Sequence, residues 1–287
     1  MSDARLTPFS GRVALDTLRG QVAAEAFTEG QPATVCAPLA DLAATPGGSR
    51  ERQLLFGASV LEIERRGPQA FVQARADGYC GWLAATALGP EVPASHVVCA
   101  RASHVYRAAS IKSGEVMALS LGARLAVEGF EGSFARIARG FVPRVHLAAL
   151  AAPEPDPVAV AERLLGTPYL WGGNSAFGID CSGLVQLGFA LAGRACPADS
   201  DLQRAAFGPF LPEGAPVRRG DLFFWRGHVA LAVSETGLIH ANGHSMDVAQ
   251  EPIAACLARI AAQGESPFYG VKRPDAAAMA AAISPPG

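Results

Sequence analysis

The chain has 287 residues, enough for two or three domains that each bury a core. Half of the residues are apolar and 17% are charged, and the net charge of −2 comes without a basic block, so we expect neither nucleic acid nor a membrane surface as a partner. The first residues contain no apolar signal segment, and no stretch is apolar enough to span a bilayer. Six cysteines stand singly without a CxxC pair, a pattern typical of reduced thiols. We therefore expect a cytoplasmic protein; its oligomeric state stays open.

An internal repeat divides the first half of the chain. VCAPLADLAA from residue 35 matches VCARASHVYRAA from residue 98, and two further blocks repeat at nearly the same offset of about 63 residues. Each copy reads as short alternating strands broken by Gly, Pro and Asp. GYCGWL at 78–83 resembles a signature of bacterial SH3-like domains, which the second copy retains only as Gly140-Phe141. We predict an N-terminal extension (1–29) and two small SH3-like β-barrels (30–90 and 92–150).

The second half has the order of an α+β domain. A linker (151–157) ends in Asp156 and Pro157, an N-cap and a first helical residue, and a second helix is predicted over 182–191. Gly188 lies on the apolar stripe of that helix and would allow another element to approach closely. Strands are predicted at 221–225, 228–234, 237–241 and 268–273. We assign 158–287 to this domain; its tail after Pro274 carries no clear pattern.

Cys181 has the surroundings of a reactive thiol. If Asp180 caps the second helix, Cys181 lies in the first turn, where free N–H groups and the helix dipole stabilise a thiolate. The same N–H groups can stabilise the oxyanion of a tetrahedral intermediate. Gly183 would keep the approach to the sulfur open. We interpret the other five cysteines as small buried residues.

A thiolate nucleophile needs a base, and the base needs an orienting group. His228 begins an apolar strand and His240 lies in the next one, so antiparallel pairing can bring both onto one face. The histidines of the first half are better explained as structural; these are His96, His104 and His146. His244 could form an i,i+4 metal pair with His240, but the intervening Asn242-Gly243 disfavours the required helix. We therefore predict no metal and no other cofactor.

Four motifs follow one another between residues 155 and 273, in the order YLWGG…GIDCSGLVQ, RRGDLFFW, GHVALAV and LIHAN. Together they resemble the NlpC family of cell-wall cysteine peptidases. The resemblance implies a papain-like fold, with Cys181 as nucleophile, His228 as general base and acid, and His240 orienting His228. It also implies that the Tyr169 hydroxyl lies beside the nucleophile and assists the oxyanion. Ala198 stands where the family more often has Arg, so any role of that Arg is absent.

The resemblance implies a peptidase acting at the γ-D-glutamyl–diamino acid bond of peptidoglycan peptides, with a small murein tri- or tetrapeptide as substrate. Two other functions stay open. One is a binding module for wall peptides with an inert papain-like domain, which the intact set of Cys181, His228 and His240 argues against. The other is an acyltransferase that passes the acyl-thioester to an acceptor other than water.

The SH3-like domains would anchor a secreted relative on the wall, or shape the substrate cleft of an intracellular one. This chain resembles the branch that trims released muropeptides inside the cell, in which a free N-terminal L-Ala amine is recognised. The resemblance implies Asp180, Ser200 and Tyr79 as groups that bind this amine, and we add Ser182 to the candidate substrate-binding residues. The simpler alternatives are that Asp180 is only a helix cap and that Tyr79 fills the core of its domain.

Overall fold

The computed structural model describes residues 3–264 and 266–274, and it divides into two compact units, 1–152 and 153–287. Residues 275–287, the tail of the predicted catalytic domain, lie outside the described residues, as do residues 1 and 2 of the predicted extension. Among the described helices, none has the length and apolar character needed to cross a membrane.

The N-terminal unit consists of short strands. In chain order they are β1 (Val13–Leu15), β2 (Ala26–Thr28), β3 (Gln31–Val35), β4 (Leu39–Ala43), β5 (Arg50–Leu55), β6 (Ser59–Arg66), β7 (Gln69–Ala74), β8 (Cys80–Ala84), β9 (Leu88–Pro90), β10 (His96–Val98), β11 (Ala102–Tyr106), β12 (Glu115–Ser120), β13 (Arg124–Leu125), β14 (Gly129–Glu131), β15 (Phe134–Ile137), β16 (Gly140–Pro143) and β17 (Leu147–Ala149). Four single 3₁₀ turns accompany them, at Ala4–Leu6, Asp16–Leu18, Ala85–Ala87 and Arg144–His146.

The sequence repeat recurs in the strands, but neither copy of the predicted β-barrel is closed in the described residues. β4 and β11 lie 63 residues apart, and a 3₁₀ turn precedes the last strand of each copy. In the described residues the first copy is an open seven-stranded sheet, β5-β4-β8-β7-β6-β3-β9, and the second is split into β12-β11-β16-β15-β14 and β13-β10-β17. Strand order alone could not predict this, because closure depends on pairing between strands distant in sequence.

The predicted N-terminal extension packs against the first copy. Leu15 joins a buried cluster with Phe71 and Trp82 of that sheet. Ser10 and Arg12 both bond the carboxylate of Glu64, the Arg12 Nη2 at 2.6 Å, and this glutamate side chain is 3% exposed. This segment therefore contributes to the core of the N-terminal unit.

The C-terminal unit has the predicted α+β character. In chain order its elements are α1 (Pro157–Glu162), β18 (Asn174–Ser175), β19 (Gly178–Ile179), α2 (Cys181–Leu191), α3 (Ser200–Ala206), β20 (Leu222–Trp225), β21 (His228–Ala232), β22 (Gly237–Asn242), β23 (Asp247–Pro252), α4 (Ile253–Gln263) and β24 (Phe268–Lys272). β18 and β19 form a hairpin, and the other strands form an antiparallel sheet in the order β23-β22-β21-β20-β24.

The helix starts and the close helix contact follow the sequence. Asp156 caps α1 by accepting from the Val158 N–H at 2.9 Å, with Pro157 in the first turn. A Cβ on Gly188 would lie 2.7 Å from the Pro157 carbonyl oxygen, so this glycine lets α1 and α2 meet, as predicted.

Several elements of this unit were absent from the sequence prediction, and β23 and α4 among them help to build the site. β23 is an edge strand that pairs with β22, and α4 follows it directly. Cys256 and Ile260 of α4 pack on the sheet face that carries Phe223 and Trp225. The α4 side of this sheet is where the two candidate histidines lie.

Candidate active site

Cys181 is the first residue of α2, and Asp180 caps this helix as predicted. The Oδ1 atom of Asp180 accepts from the Gly183 N–H at 2.7 Å and from the Ser182 hydroxyl at 3.0 Å. Its Oδ2 atom accepts from the Gly172 N–H at 2.9 Å, so one carboxylate ties the loop before the helix to the first turn. The backbone N–H groups at this helix start face the Cys181 side chain.

Gly183 also has a packing role at the helix start. A Cβ at this position would lie 2.7 Å from the Gly173 carbonyl oxygen. The glycine therefore lets the Gly172-Gly173 turn pack directly on the helix start.

The fold acts on the Cys181 thiol against the thiolate that the helix start favours. Burial, together with the nearby Asp180 carboxylate, raises the pKa of Cys181 to about 12. Hydrogen bonds from the backbone N–H groups of Val229, Ser182 and Cys181 lower this pKa, but by less than burial and Asp180 raise it. The helix dipole is a local property that the sequence predicts, whereas burial depends on the tertiary fold.

The two candidate histidines meet on one sheet face. His228 pairs with Trp225 across β20 and β21, and its Nε2 lies 2.8 Å from Nδ1 of His240. Cys181 interacts with the N–H of Val229, the residue next to His228, so the start of β21 lies at the start of α2. The structure thus brings the predicted nucleophile, base and orienting group to one location.

Both histidines are neutral at ordinary pH. Burial, with His240 and Arg259 nearby, lowers the pKa of His228 to about 3. Burial also lowers the pKa of His240 to about 4, against the opposing effect of Glu251. A neutral imidazole has a ring nitrogen with a free lone pair, which a general base requires.

The remaining predicted residues lie in three places. Tyr169 is half-buried; burial and the charges of Cys181 and Asp180 raise its pKa, so its hydroxyl stays protonated and can donate. Ser182 is buried and its hydroxyl is used on Asp180, whereas Ser200 begins α3. Tyr79 is buried in the N-terminal unit, its ring 5.1 Å from the Arg52 guanidinium.

Two groups of residues escaped the sequence analysis. Asp199, beside Ser200, lies close enough to Asp180 to raise the pKa of that carboxyl. Glu251 of β23 places its Oε1 2.8 Å from Nε2 of His240 and pairs with Arg259 of α4. A signal for Glu251 exists once β23 is known, because Ala249 pairs with His240 and Glu251 is two residues further on the same face.

One set of side chains has the composition of a metal site. Ligand atoms of His240, Glu251 and Cys256 all lie within 4.8 Å of one another. His244, the partner considered from the sequence, is exposed in the turn after β22. Arg259 already contacts both the Glu251 carboxylate and, at 3.8 Å, the Cys256 sulfur. A guanidinium thus already lies against two of these three groups, and its positive charge disfavours a metal ion there.

The chain matches two protein families. Residues 166–257 match the NlpC/P60 family, and residues 42–88 match the bacterial dipeptidyl-peptidase Sh3 domain. One SH3 domain is matched in this way, and the second copy as an SH3 domain stays a prediction.

Relatives share one or both parts of the chain. Dipeptidyl-peptidase 6 of Lysinibacillus sphaericus is 37% identical over 93 residues, 30% of this chain and 31% of that protein. Gamma-D-glutamyl-L-lysine dipeptidyl-peptidase of Bacillus subtilis (strain 168) is 29% identical over 229 residues, 69% of this chain and 75% of that protein. The crystal structure of an NlpC/P60 family protein from Bacillus cereus ATCC 10987 has a TM-score of 0.69 at 19% identity, covering 85% of this chain and 99% of that one, and so shares the fold.

The fold and the site define the C-terminal domain as that of a cysteine peptidase, a thiol-dependent hydrolase. The chain carries an NlpC/P60 domain and, N-terminal to it, a bacterial dipeptidyl-peptidase SH3 domain.

Proposed function

We propose that the chain hydrolyses the γ-D-glutamyl–diamino acid bond of peptidoglycan stem peptides and requires a free N-terminal L-Ala. The substrates are small murein tri- or tetrapeptides, and the enzyme acts in the cytoplasm on peptides released from the wall. The names of the Lysinibacillus and Bacillus relatives support a dipeptidyl-peptidase activity. The six free cysteines support a reducing compartment.

In the proposed reaction the Cys181 sulfur attacks the γ-carbonyl carbon of D-Glu while its proton passes to Nδ1 of His228. The N–H groups at the start of α2 and the protonated Tyr169 hydroxyl stabilise the oxyanion. The C–N bond then breaks, and the His228 proton goes to the leaving diamino acid nitrogen. Water hydrolyses the thioester with His228 again as base, which releases L-Ala-D-Glu and regenerates the thiol.

The observation that carries the amine requirement is the set of donors around Asp180. Its carboxylate, next to the nucleophile, accepts from two backbone N–H groups and one hydroxyl, all of them neutral. A carboxylate has about four acceptor positions, which leaves one for an ammonium group. Asp199 adds a second negative charge nearby and makes this location favourable for a cation.

The other contacts to the amine are assigned from the family resemblance. Ser200 follows Asp199 at the start of α3, and its hydroxyl can add a hydrogen bond. The resemblance also assigns the phenol hydroxyl of Tyr79, from the first SH3-like copy, as a contact to the amine. Phe141 lacks that hydroxyl in the second copy, so this role belongs to the first copy alone.

The test compares L-Ala-γ-D-Glu-diaminopimelate with its N-acetylated form. Acetylation removes the ammonium, leaves a buried carboxylate unpaired at a cost of about 3–5 kcal/mol, and should lower kcat/KM by roughly a hundredfold or more. Product analysis should find L-Ala-D-Glu and free diaminopimelate, and added amine acceptors should not divert the acyl group. Equal cleavage of both peptides would contradict the requirement for a free N-terminal amine. Products in which the acyl group is joined to the added amine acceptor would favour the acyltransferase.

A further inference from the structure

A carboxylate–guanidinium pair lies directly behind the orienting histidine. Glu251 Oε1 is 2.8 Å from His240 Nε2, and the His240 side chain is only 1% exposed. The oxygen lies out of line with the ring N–H, so the contact acts chiefly through charge. Arg259 holds the same carboxylate from α4.

This contact decides which nitrogen of His240 carries the proton. A carboxylate 2.8 Å from Nε2 is repelled by a nitrogen lone pair and attracted by an N–H, so His240 is protonated on Nε2. Its Nδ1 is then an acceptor. His228 Nε2, 2.8 Å from that Nδ1, must therefore be the donor.

The same logic fixes the base. With its proton on Nε2, His228 has its lone pair on Nδ1, which is the form that can take a proton from a thiol. One fixed charge at Glu251 therefore sets the tautomers of two histidines in series. Without it His240 could carry its proton on Nδ1, and His228 would then turn its N–H toward Cys181.

Arg259 keeps this charge in place. Burial raises the pKa of Glu251, whereas hydrogen bonds from Arg259 and Cys256 lower it, and the net shift is downward. The charged or titratable groups facing His240 are His228 from β21, Asp247 and Glu251 from β23, and Cys256 and Arg259 from α4.

We propose that Glu251, held by Arg259, is a positioning residue that sets the tautomers of His240 and His228 and so makes His228 Nδ1 the base. The proposal rests on the assignment of Cys181 and the two histidines under the proposed function. It is independent of which peptide bond is cut.

The test is a double-mutant cycle in the full-length chain with Glu251→Gln and His240→Asn. Glu251→Gln should lower kcat by about 10- to 100-fold with little change in KM, because geometry stays and the charge is lost. In the His240→Asn background the same substitution should change kcat by less than about twofold. Glu235→Gln, an exposed glutamate between β21 and β22, is the matched control and should leave kcat unchanged.

A substrate-free measurement separates this proposal from the peptide specificity. The alkylation rate of Cys181 by iodoacetamide, followed by mass spectrometry, should fall in Glu251→Gln as kcat does. Nitrogen-15 NMR of His240 should show Nε2–H in the wild type and a tautomer mixture in the variant. If thermal unfolding shows that Glu251→Gln fails to fold, Arg259→Lys serves instead, with a smaller fall in both rates.

The outcomes are distinct. An equal fall in kcat from Glu251→Gln in the wild-type and His240→Asn backgrounds would overturn the proposal, since Glu251 would then not act through that histidine. An unchanged His240 tautomer would overturn it as well. Normal alkylation behaviour with no cleavage of the γ-D-glutamyl peptide would contradict the proposed function and leave this inference standing.

Discussion

Glu64 of the N-terminal unit and Asp180 of the C-terminal unit are both carboxylates with little exposure to solvent, and they differ in what surrounds them. Glu64 in the N-terminal unit is bonded by Arg12 and Arg66, and although burial raises its pKa, these partners lower it overall. Asp180 in the C-terminal unit is bonded by neutral donors, and burial leaves its pKa raised. A carboxylate with its cations in place stabilises a fold, and one without them can bind a cation from outside.

The difference extends to the rest of the C-terminal unit. Cys181 and His240 are buried and His228 is half-buried, and their surroundings favour the neutral form of all three. In the N-terminal unit, the buried pair Arg52 and Asp77 is joined at 2.7 Å. The candidate site therefore keeps neutral groups that can exchange protons, whereas these buried ions of the N-terminal unit are already paired.

The largest expected effect separates Cys181 from the other cysteines. Cys181→Ala or Cys181→Ser should abolish hydrolysis, a loss of several orders of magnitude, because the nucleophile is removed. Cys36→Ala and Cys99→Ala, which change half-buried thiols of the N-terminal unit, should stay within a few-fold. If stoichiometric labelling of a cysteine other than Cys181 stops turnover, Cys181 is not the nucleophile.

The histidines should follow in graded order. His228→Ala should lower kcat by several orders of magnitude, because acylation and departure of the leaving group both need its proton. His240→Ala should lower kcat less, because the His228 imidazole without its orienting group still takes up a productive position part of the time. Exposed His244→Ala should be mild, and equal losses at His240 and His244 with sensitivity to EDTA would indicate a metal site instead.

The alkylation rate of Cys181 should depend on pH in the way expected for a neutral thiol. Because the pKa of Cys181 is about 12, its thiolate fraction and hence its alkylation rate should rise tenfold per pH unit from neutral into the alkaline range. A rate that is level from pH 5 to 8 would instead indicate a thiolate–imidazolium pair at rest.

Acid should destabilise the C-terminal unit in a defined window. The pKa values of His228 and His240 fall from their ordinary 6.5 to about 3 and about 4 on folding. The unfolded chain thus binds more protons between those values, so stability is full above pH 6.5 and is lost as the pH falls toward 4. Denaturant titrations at pH 7 and 5 measure this, and His240→Asn should reduce the difference between them.

The smallest effect on activity belongs to Glu64. Glu64→Gln should reduce the free energy of unfolding of the N-terminal unit by about 1–3 kcal/mol, because Arg12 and Arg66 lose their buried partner. The alkylation rate of Cys181 should not change. A fall in that rate would show that the two carboxylates are not separate in function.

The sequence predicted most local features and missed those that depend on distant pairing. Asp156, Asp180 and Gly188 act where capping and close-packing rules place them. β23 escaped because an edge strand such as DVAQEP lacks a clean apolar alternation. Glu251 escaped with it, because its relation to His240 exists only in the strand register.

The measurement that tests the central claim most directly is the kcat/KM of Asp180→Asn on the free and N-acetylated peptides. Asparagine still caps a helix, so the fold should persist while the charge is lost. The wild type should prefer the free amine by roughly a hundredfold, and the variant should lose nearly all of this preference through its effect on the free peptide alone. A variant that still prefers the free peptide, or that loses activity on both peptides equally, would contradict the proposal that the Asp180 carboxylate binds the substrate ammonium.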